Sequence, residues 1–496
     1  MASPVQSATV LHEPTRVIED YRHEPRIAVG CPPPRHWAPA SGTIDPRLRC
    51  PGDTVTPTTI LLLLAVAAAG IWLTEQAIRR SMVGVSLVVG AIGLRYVFGI
   101  HASRQVFGVP PVLNIAGLDA QIPDAVWLIL LIASVARWLR LPRLTPIHWA
   151  IIAVLVIVVI SVVQGGQQGE LSVALAEGRR YLFFLAAVAY GSTIEPRWDV
   201  LDRALYWWLG LAIAIAGFAA LQMVALSVGL LPEAVGEGAS GHWLRVIPSD
   251  PSLLVLQGAV ISGVAWHARR EPWLAATTIG LLGVVVLLQH RSVWIAAIVT
   301  GGVLVLRNPR LTGRLTVAVG VSLVLVLGAF TVVFDEALED SITDDLADTA
   351  TYDGTWQWRI EGWHALLDQH AHQGASQHLI GQPLGSGWDR VMRGQVITVS
   401  PHNFYLEKYL RLGVVGVGAL LLLYGWSLRR LWGDPTRGRI ASAETLVLLA
   451  VTQLVYFIPY APRDQGMLLG LMLAAAASTG LARQQGQHLP TGASRA

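Results

Sequence analysis

His402 is the residue of this chain best suited to acid–base chemistry, and it follows Ser400 and Pro401 where a long polar segment meets a long apolar one. Ser400 is a good N-cap residue and Pro401 suits the first helical position, so the sequence predicts a helix with His402 in its first turn. That turn carries a partial positive charge, which favours a neutral histidine able to accept a proton. The same helix end could hold an anion. The alternative is a polar cap where an apolar helix meets water, and these residues alone leave both interpretations open.

Three arginines at the starts of apolar segments could bind an anion. Arg179 and Arg180 precede the apolar run that begins at Tyr181, and Arg291 lies between two apolar segments with almost no loop between them. A planar guanidinium matches phosphate oxygens well. For a single arginine in such a place, snorkelling to lipid headgroups is the favoured explanation. A phosphate site therefore requires that these arginines share one location with His402.

The composition indicates a membrane protein. Of 496 residues, 53% are hydrophobic and only 14% are charged, against about 25% charged residues in a typical soluble domain. The net charge of +3 is small and gives no indication of nucleic-acid binding. The only cysteines, Cys31 and Cys50, lie in the N-terminal tail without a CxxC motif, so no metal site is predicted and a disulfide requires a tail outside the cytosol.

Many apolar runs approach the roughly 20 residues that a membrane-crossing helix needs. The sequence predicts an all-α polytopic membrane protein with about 12 or 13 transmembrane helices and one long extracytoplasmic loop that carries short helices. The count is twelve if the first run does not fully cross. The predicted spans lie near 58–73, 82–99, 123–139, 146–163, 180–194, 203–230, 250–268, 273–289, 292–306, 314–334, 403–428, 441–459 and 464–482.

These spans divide the chain into five predicted regions: a disordered tail (1–56), the first part of the bundle (57–334), the extracytoplasmic loop (335–401), the last part of the bundle (402–483) and a C-terminal tail (484–496). The side of the N-terminal tail stays open, because it depends on whether the first apolar run crosses.

Basic residues set the predicted orientation, because cytoplasmic loops are rich in Lys and Arg. Arginines cluster in alternate loops, which places those loops inside and the long polar loop and His402 outside. Arg179, Arg180 and Arg291 lie on the outer side, against this bias and at the depth of His402, and so favour a phosphate site. The cytoplasmic clusters are Arg79/Arg80, Arg137/Arg140/Arg143, Arg197/Arg203, Arg269/Arg270, Arg307/Arg310/Arg314 and Arg429/Arg430/Arg437/Arg439.

The long outer loop has three predicted parts. Residues 335–348 are acidic without an EF-hand spacing, which favours a solvated acidic face over a divalent-metal loop. Residues 356–367 have apolar side chains at helical spacing and predict an amphipathic helix whose tryptophans either stack on sugars or form an interfacial belt. Residues 379–388 predict a Gly/Pro turn that returns the chain to His402. Beyond it, Glu407 and Arg411 are predicted to pair at i,i+4 spacing.

Several motifs occur together in an order that resembles the O-antigen ligase and polymerase family, most closely over about residues 280–425. The long N-terminal tail departs from that family. The motifs are Gln-His-Arg-Ser-Val-Trp-Ile (289–295), Trp-Arg-Ile-Glu-Gly-Trp (358–363), Ile-Gly-Gln-Pro-Leu-Gly-Ser-Gly (380–387) and Pro-His-Asn-Phe-Tyr-Leu-Glu-Lys-Tyr-Leu-Arg-Leu-Gly-Val-Val-Gly (401–416).

The resemblance implies a metal-independent glycosyltransferase of the cytoplasmic membrane that needs no cofactor. Its expected partners are a polyprenyl diphosphate-linked glycan, a glycan, lipid or protein acceptor outside the membrane, and membrane lipid. It implies that His402 is the catalytic base and that Arg180 or Arg179, together with Arg291, binds the diphosphate. Arg359 matches a family loop arginine.

Asn403 is expected either to orient His402 or the acceptor, or simply to cap the helix. A neutral histidine suits the removal of the acceptor proton, and fixed arginines suit a departing diphosphate.

Other functions remain open at this point. The resemblance does not separate a ligase from a polymerase or from a protein-glycosylating enzyme. A transporter or flippase of lipid-linked glycans or small solutes would carry ionisable groups near the bilayer midplane, broken helices or internal repeats. The predicted spans are nearly free of charge, with Arg95 as the main exception, and no repeat is evident, which favours an enzyme. A polysaccharide-binding scaffold would leave His402 dispensable.

Overall fold

The computed structural model describes residues 57–99, 113–115, 118–120, 122–194, 198–228, 230, 246–307, 313, 355–432, 443–461 and 466–486. The chain divides into two compact units, Met1–Ala67 and Ala68–Ala496. The described part of the first unit is the beginning of one helix, and the site discussed below lies wholly in the second.

The described ranges are almost entirely helical, with two short antiparallel hairpins, β1–β2 and β3–β4. The helices are α1 (Pro57–Arg79), α2 (Ser81–Gly99), α3 (Ile122–Trp138), α4 (Pro146–Gln168), α5 (Leu171–Ser192), α6 (Trp198–Ser227), α7 (Ser249–Arg269), α8 (Pro272–Leu287), α9 (Arg291–Arg307), α10 (Thr355–Ala371), α11 (Ala375–Ile380), α12 (Phe404–Trp432), α13 (Ala443–Tyr456) and α14 (Met467–Gly486). The strands are β1 (Leu113–Ile115), β2 (Leu118–Ala120), β3 (Arg390–Met392) and β4 (Gln395–Ile397).

The prediction of an all-α membrane protein is confirmed. Within the described residues, α4, α6, α7 and α12 are long and apolar enough to cross a bilayer, and four further apolar helical stretches are shorter. Twelve of the predicted spans coincide with a helix of the structure. The predicted span near 314–334, the tail 1–56 and the acidic stretch 335–348 lie outside the described residues.

Helix α5 lies at the centre of the bundle, packed against α3, α4 and α14. It approaches α14 through small residues: a Cβ on Gly191 would overlap the backbone of Leu471, and one on Gly470 would overlap Phe184. Helices in lipid gain little from the hydrophobic effect, so close van der Waals contact at small residues holds them together. Helices α4 and α14 also pack against α12, so α5, which carries Glu177, shares two neighbours with α12.

Hydrogen bonds between helix ends define one end of the bundle, which we call the His402 end. The backbone N–H of Phe404 donates to the carbonyl of Phe457 at 3.0 Å, next to His402. The Tyr456 hydroxyl is 2.7 Å from Ser249 Oγ, and His290 Nε2 is 2.8 Å from the Ile247 carbonyl oxygen. The starts of α7, α9 and α12 therefore meet the end of α13 at this end of the bundle.

Helix α12 is broken at Gly413, where φ is 63° and ψ is −171°. The loop that follows α11 enters this break, and the backbone N–H of Gln382 donates to the Leu410 carbonyl at 2.7 Å. Any Cβ on Gly381 or Gly413 would overlap the backbone of the opposing segment. The loop and α12 therefore touch backbone to backbone, which sets the position of everything between α11 and His402.

Candidate functional site

His402 lies just before α12 rather than in its first turn. Its φ of 51° is left-handed, and the helix begins at Phe404. Asn403 is the actual N-cap, because its Oδ1 accepts the backbone N–H of Leu406 at 2.9 Å. The predicted cap at Ser400 is therefore wrong: the chain uses the left-handed residue to turn into the helix, and Asn403 takes the capping role that the sequence left open.

His402 is partly buried among two guanidinium groups and a phenol ring. Arg359 comes from α10, Arg390 from β3, and the Tyr460 ring lies edge-on with its centroid 6.2 Å from that of His402. Burial, followed by the charges of Arg359 and Arg390, lowers the pKa of His402 to about 4, and Glu407 opposes this shift. The imidazole is therefore neutral at neutral pH, as a general base must be.

The predicted amphipathic helix in the loop is present as α10, and it brings Arg359 to His402. Trp363 Nε1 donates to the Pro401 carbonyl at 2.6 Å, which ties the helix to the residue before His402. Arg359 Nη1 donates to the Pro459 carbonyl at 3.1 Å, and its guanidinium lies 4.7 Å from the Tyr460 ring centroid. Arg359 Nε is buried without a hydrogen-bond partner among the described residues. Such an orphaned donor requires an explanation, and an anionic ligand would provide one.

Arg390 was not anticipated from the sequence. It is 2% exposed, and its Nη1 donates to the carbonyls of Val399 at 2.6 Å and Trp388 at 3.2 Å. The guanidinium also lies 5.8 Å from the Trp358 ring centroid. Strand β3 places this arginine on the buried face of the hairpin, while Val391 beside it is exposed. Arg390 thus packs against α10, the helix that carries Arg359, and its charge also acts on His402.

A second group of buried charges lies under His402, between α5 and α12. Lys408 Nζ is 2.9 Å from Glu407 Oε1, and the Tyr181 hydroxyl donates to the same oxygen at 3.3 Å. Lys408 also lies 4.0 Å from the Tyr181 ring centroid. Arg180 interacts electrostatically with Glu407 and Lys408. Glu407 interacts electrostatically with both Arg180 and His402, so it links the two groups of charges.

The other predicted arginines have different surroundings. Arg179 Nε forms an ion pair with Asp124 Oδ1 at 3.4 Å, so it faces α3. Arg291 is the first residue of α9 and therefore lies at the His402 end. The structure thus places Arg359 and Arg180 in the network around His402, Arg291 at the same end of the bundle, and Arg179 on a carboxylate of a neighbouring helix.

Arg411 does not pair with Glu407, contrary to the prediction from their spacing. Its Nε donates to Glu177 Oε1 at 2.8 Å instead. Arg411 pairs with Glu177 on α5 and not with Glu407 on its own helix, because Glu407 already accepts hydrogen bonds from Lys408 and Tyr181. The predicted turn at 379–388 is present, with left-handed Gly381, Gly385 and Gly387, but it is followed by the unpredicted β3–β4 hairpin.

Two further features bear on ligands. Among the described residues, no three His, Cys, Asp or Glu side chains are grouped so that they could hold a metal ion. Trp356, at the start of α10, is half-exposed and packs edge-to-face on Trp363 with the centroids 5.4 Å apart. Of the two tryptophans in this pair, Trp356 is the more exposed and so the better placed to contact a sugar or a lipid.

The fold and this site define an all-α membrane protein with a neutral histidine in the field of two guanidinium groups at one end of its helical bundle. Residues 276–421 match the family model described as O-antigen ligase. The resemblance drawn from the motifs is confirmed for this part of the chain, which contains Arg291, Arg359, Arg390 and His402. No curated protein matches the chain. The family supports a membrane enzyme that handles lipid-linked glycans.

Proposed function

We propose that this protein is a metal-independent membrane glycosyltransferase that moves a glycan from a polyprenyl diphosphate carrier to an acceptor hydroxyl on the outer side of the cytoplasmic membrane, in the assembly of cell-surface polysaccharide. The observation that carries the proposal is the neutral, partly buried His402, on which the positive charges of Arg359 and Arg390 both act. It lies inside the segment that matches the O-antigen ligase family.

The proposed reaction needs one base and a cluster of positive charge. The acceptor oxygen forms a bond to the anomeric carbon of the glycan, the bond from that carbon to the diphosphate breaks, and the acceptor proton passes to His402. General-base catalysis of this kind typically contributes about 10²–10⁴-fold. Negative charge grows on the departing polyprenyl diphosphate, and fixed guanidinium groups in a partly dehydrated site stabilise it.

The arginines have proposed roles that follow their surroundings. Arg359 offers a buried donor that has no partner in the described part of the chain, which suits a phosphate oxygen. Arg180 and Arg291 are proposed to bind the diphosphate from the bundle side. Asn403 caps the start of α12 and so keeps the adjacent His402 in position. Arg179 is also proposed to contribute to diphosphate binding, and its ion pair with Asp124 limits that contribution.

The proposal is tested by transfer from an extracted lipid-linked glycan to candidate acceptors, with purified protein in detergent or vesicles. His402→Ala is expected to reduce transfer by about 10²–10⁴-fold. His364→Ala is the matched control, because His364 is an exposed histidine on the neighbouring helix α10. Full transfer by the His402→Ala protein would show that His402 is not the base.

Two readouts extend the same assay. A single conjugate of defined size indicates a ligase, whereas a ladder of products indicates a polymerase. Arg180→Ala and Arg291→Ala are expected to raise the KM for the carrier, whereas Arg393→Ala, an exposed arginine paired with Glu361, is expected to leave it unchanged. Transfer is expected to persist in EDTA; its loss would contradict metal independence.

A further inference from the structure

Arg411 on α12 is a fully buried guanidinium for which the proposed transfer step has no use. Its Nε donates to Glu177 Oε1 at 2.8 Å, its Nη1 to Ser386 Oγ at 2.6 Å and its Nη2 to the Gly387 carbonyl at 2.7 Å. Glu177 Oε2 accepts the backbone N–H of Gly385 at 2.6 Å. The ion pair therefore holds three consecutive residues of the glycine-rich turn, 385–387.

The next two contacts lead from this turn to His402. The Arg411 guanidinium lies 3.9 Å from the ring centroid of Trp388. The Trp388 carbonyl accepts Arg390 Nη1 at 3.2 Å, and the same nitrogen donates to the Val399 carbonyl at 2.6 Å. Arg390 is therefore held between the residue that Arg411 stacks on and the segment that ends in His402.

We propose that Arg411 is a positioning residue that fixes Trp388 and thereby holds the Arg390 guanidinium beside His402. The consequence for glycan transfer rests on the function proposed above, whereas the placement of Arg390 does not. A buried, fully hydrogen-bonded arginine suits this role, because its rigid fork can hold several backbone groups in one geometry. Lysine carries the same charge without the fork.

Four elements bring charged or titratable groups to His402: α10 brings Arg359, β3 brings Arg390, α12 brings Glu407, and the segment after α13 brings Tyr460. The contacts traced from Arg411 lead through Trp388 to Arg390, and the charge of Arg390 acts on the His402 imidazole. Displacing Arg390 moves one positive charge away from the imidazole, so the pKa of His402 rises toward its ordinary value.

The test reads the pKa of His402 without measuring transfer. Diethylpyrocarbonate acylates neutral imidazole, so mass spectrometry of the His402 peptide across a pH series gives the midpoint of its protonation. Exposed His364 and His372 act as internal references in every sample. We expect Arg390→Gln to raise the His402 midpoint by about one pH unit. Arg393→Gln, on the same hairpin, is expected to leave it unchanged.

The decisive comparison uses Arg411→Lys and Trp388→Leu. Each single variant is expected to raise the His402 midpoint. When either is combined with Arg390→Gln, the midpoint should equal that of Arg390→Gln alone, because both act through Arg390. Trp388→Leu leaves no buried charge unpaired, so it tests the same step if Arg411→Lys does not yield folded protein. An unchanged midpoint in the single variants, or an additive shift in the doubles, would overturn the proposal.

Transfer assays separate this inference from the proposed function. If the wild-type protein transfers no glycan but the His402 midpoint shifts as expected, the positioning stands and the function fails. If transfer depends on His402 but the His402 midpoint is unchanged in Arg411→Lys and Trp388→Leu, the proposed function stands and the positioning role fails. Where both hold, Arg411→Lys is expected to lower kcat with little change in the KM for the carrier, because Arg411 touches no substrate.

Discussion

Replacement of Gly413 by alanine tests whether the break in α12 carries the geometry of the site. Gly413 has φ 63° and ψ −171°, a region that is essentially restricted to glycine. A Cβ there would overlap the backbone carbon and oxygen of Leu379. Those atoms belong to the end of α11 and cannot move aside as a flexible side chain could, so the loop must shift away from the helix.

The expected cost combines backbone strain with steric overlap. Holding an L-residue at left-handed φ costs about 1–2 kcal/mol, and overpacking a tight contact costs about 1–3 kcal/mol. Gly413→Ala should therefore lower the free energy of unfolding by about 2–5 kcal/mol. The matched control is Gly418→Ala in the same helix, where a Cβ meets nothing within 4 Å. That change should raise stability by about 0.5–1 kcal/mol, because alanine is the better helix former.

The assay is the midpoint of thermal unfolding of purified protein in detergent, read by tryptophan fluorescence, together with transfer measured well below that midpoint. We expect the two variants to shift the midpoint in opposite directions, and only Gly413→Ala to reduce transfer. Equal midpoints for both variants would refute the argument that the loop and α12 meet backbone to backbone at Gly413.

Three further outcomes follow from the charges around the site. Because the pKa of His402 is about 4, transfer should persist as pH falls through 6.5 and should decline only near pH 4. The free energy of unfolding should already fall between pH 6.5 and pH 4, because the unfolded chain protonates His402 at a higher pH than the folded protein does. A loss of transfer centred at pH 6.5 would contradict this. Arg359→Gln should move the acidic limit of transfer to higher pH, since it removes a positive charge beside His402, and a pH–rate profile checks this. Lys408→Met leaves the buried Glu407 carboxylate without the cation 2.9 Å away and should lower the free energy of unfolding by about 3–5 kcal/mol. The double variant Glu407→Gln/Lys408→Met should recover much of this loss. Equal losses of unfolding free energy in the single and double variants would argue against the pairing.

The sequence predicted the helices well because an apolar run of about 20 residues rarely forms anything other than a membrane-spanning helix. It also predicted the helix α10 that carries Arg359, since its apolar residues recur at helical spacing. The proximity of Arg359 to His402 is a tertiary fact that spacing does not contain, and only the family motif suggested it.

Arg390 was missed because its burial depends on a hairpin whose strands have three residues each. A signal was present: Arg393 and Gly394 lie between Val391-Met392 and Gln395-Val396, and both adopt positive φ, 49° and 78°. Two such residues form the kind of turn that closes a tight hairpin. The alternation around them is too short to stand out beside the glycine-rich turn before it.

The helix start was misplaced because two caps compete within four residues. Ser400-Pro401 has the better local signature, but Trp363 holds the Pro401 carbonyl, and the chain needs a left-handed residue to enter α12. Local propensity cannot weigh that tertiary contact. The same reason explains why Arg411 pairs with Glu177 instead of its neighbour on the helix.

A broken helix with buried charges is also a feature of transporters, so the position of the break matters. Glu407, Lys408 and Arg411 all precede Gly413, where α12 is buried in protein against the loop and α5. Beyond the break, Val414, Val415 and Leu421 are exposed, as expected of a lipid-facing surface. The apolar stretch 414–428 is about 22 Å long at 1.5 Å per residue, and Arg429 and Arg430 follow it at the far end of α12. The buried charges Glu407, Lys408 and Arg411 therefore lie on the loop side of the break, next to the His402 site, which favours a surface site over a pathway through the bilayer.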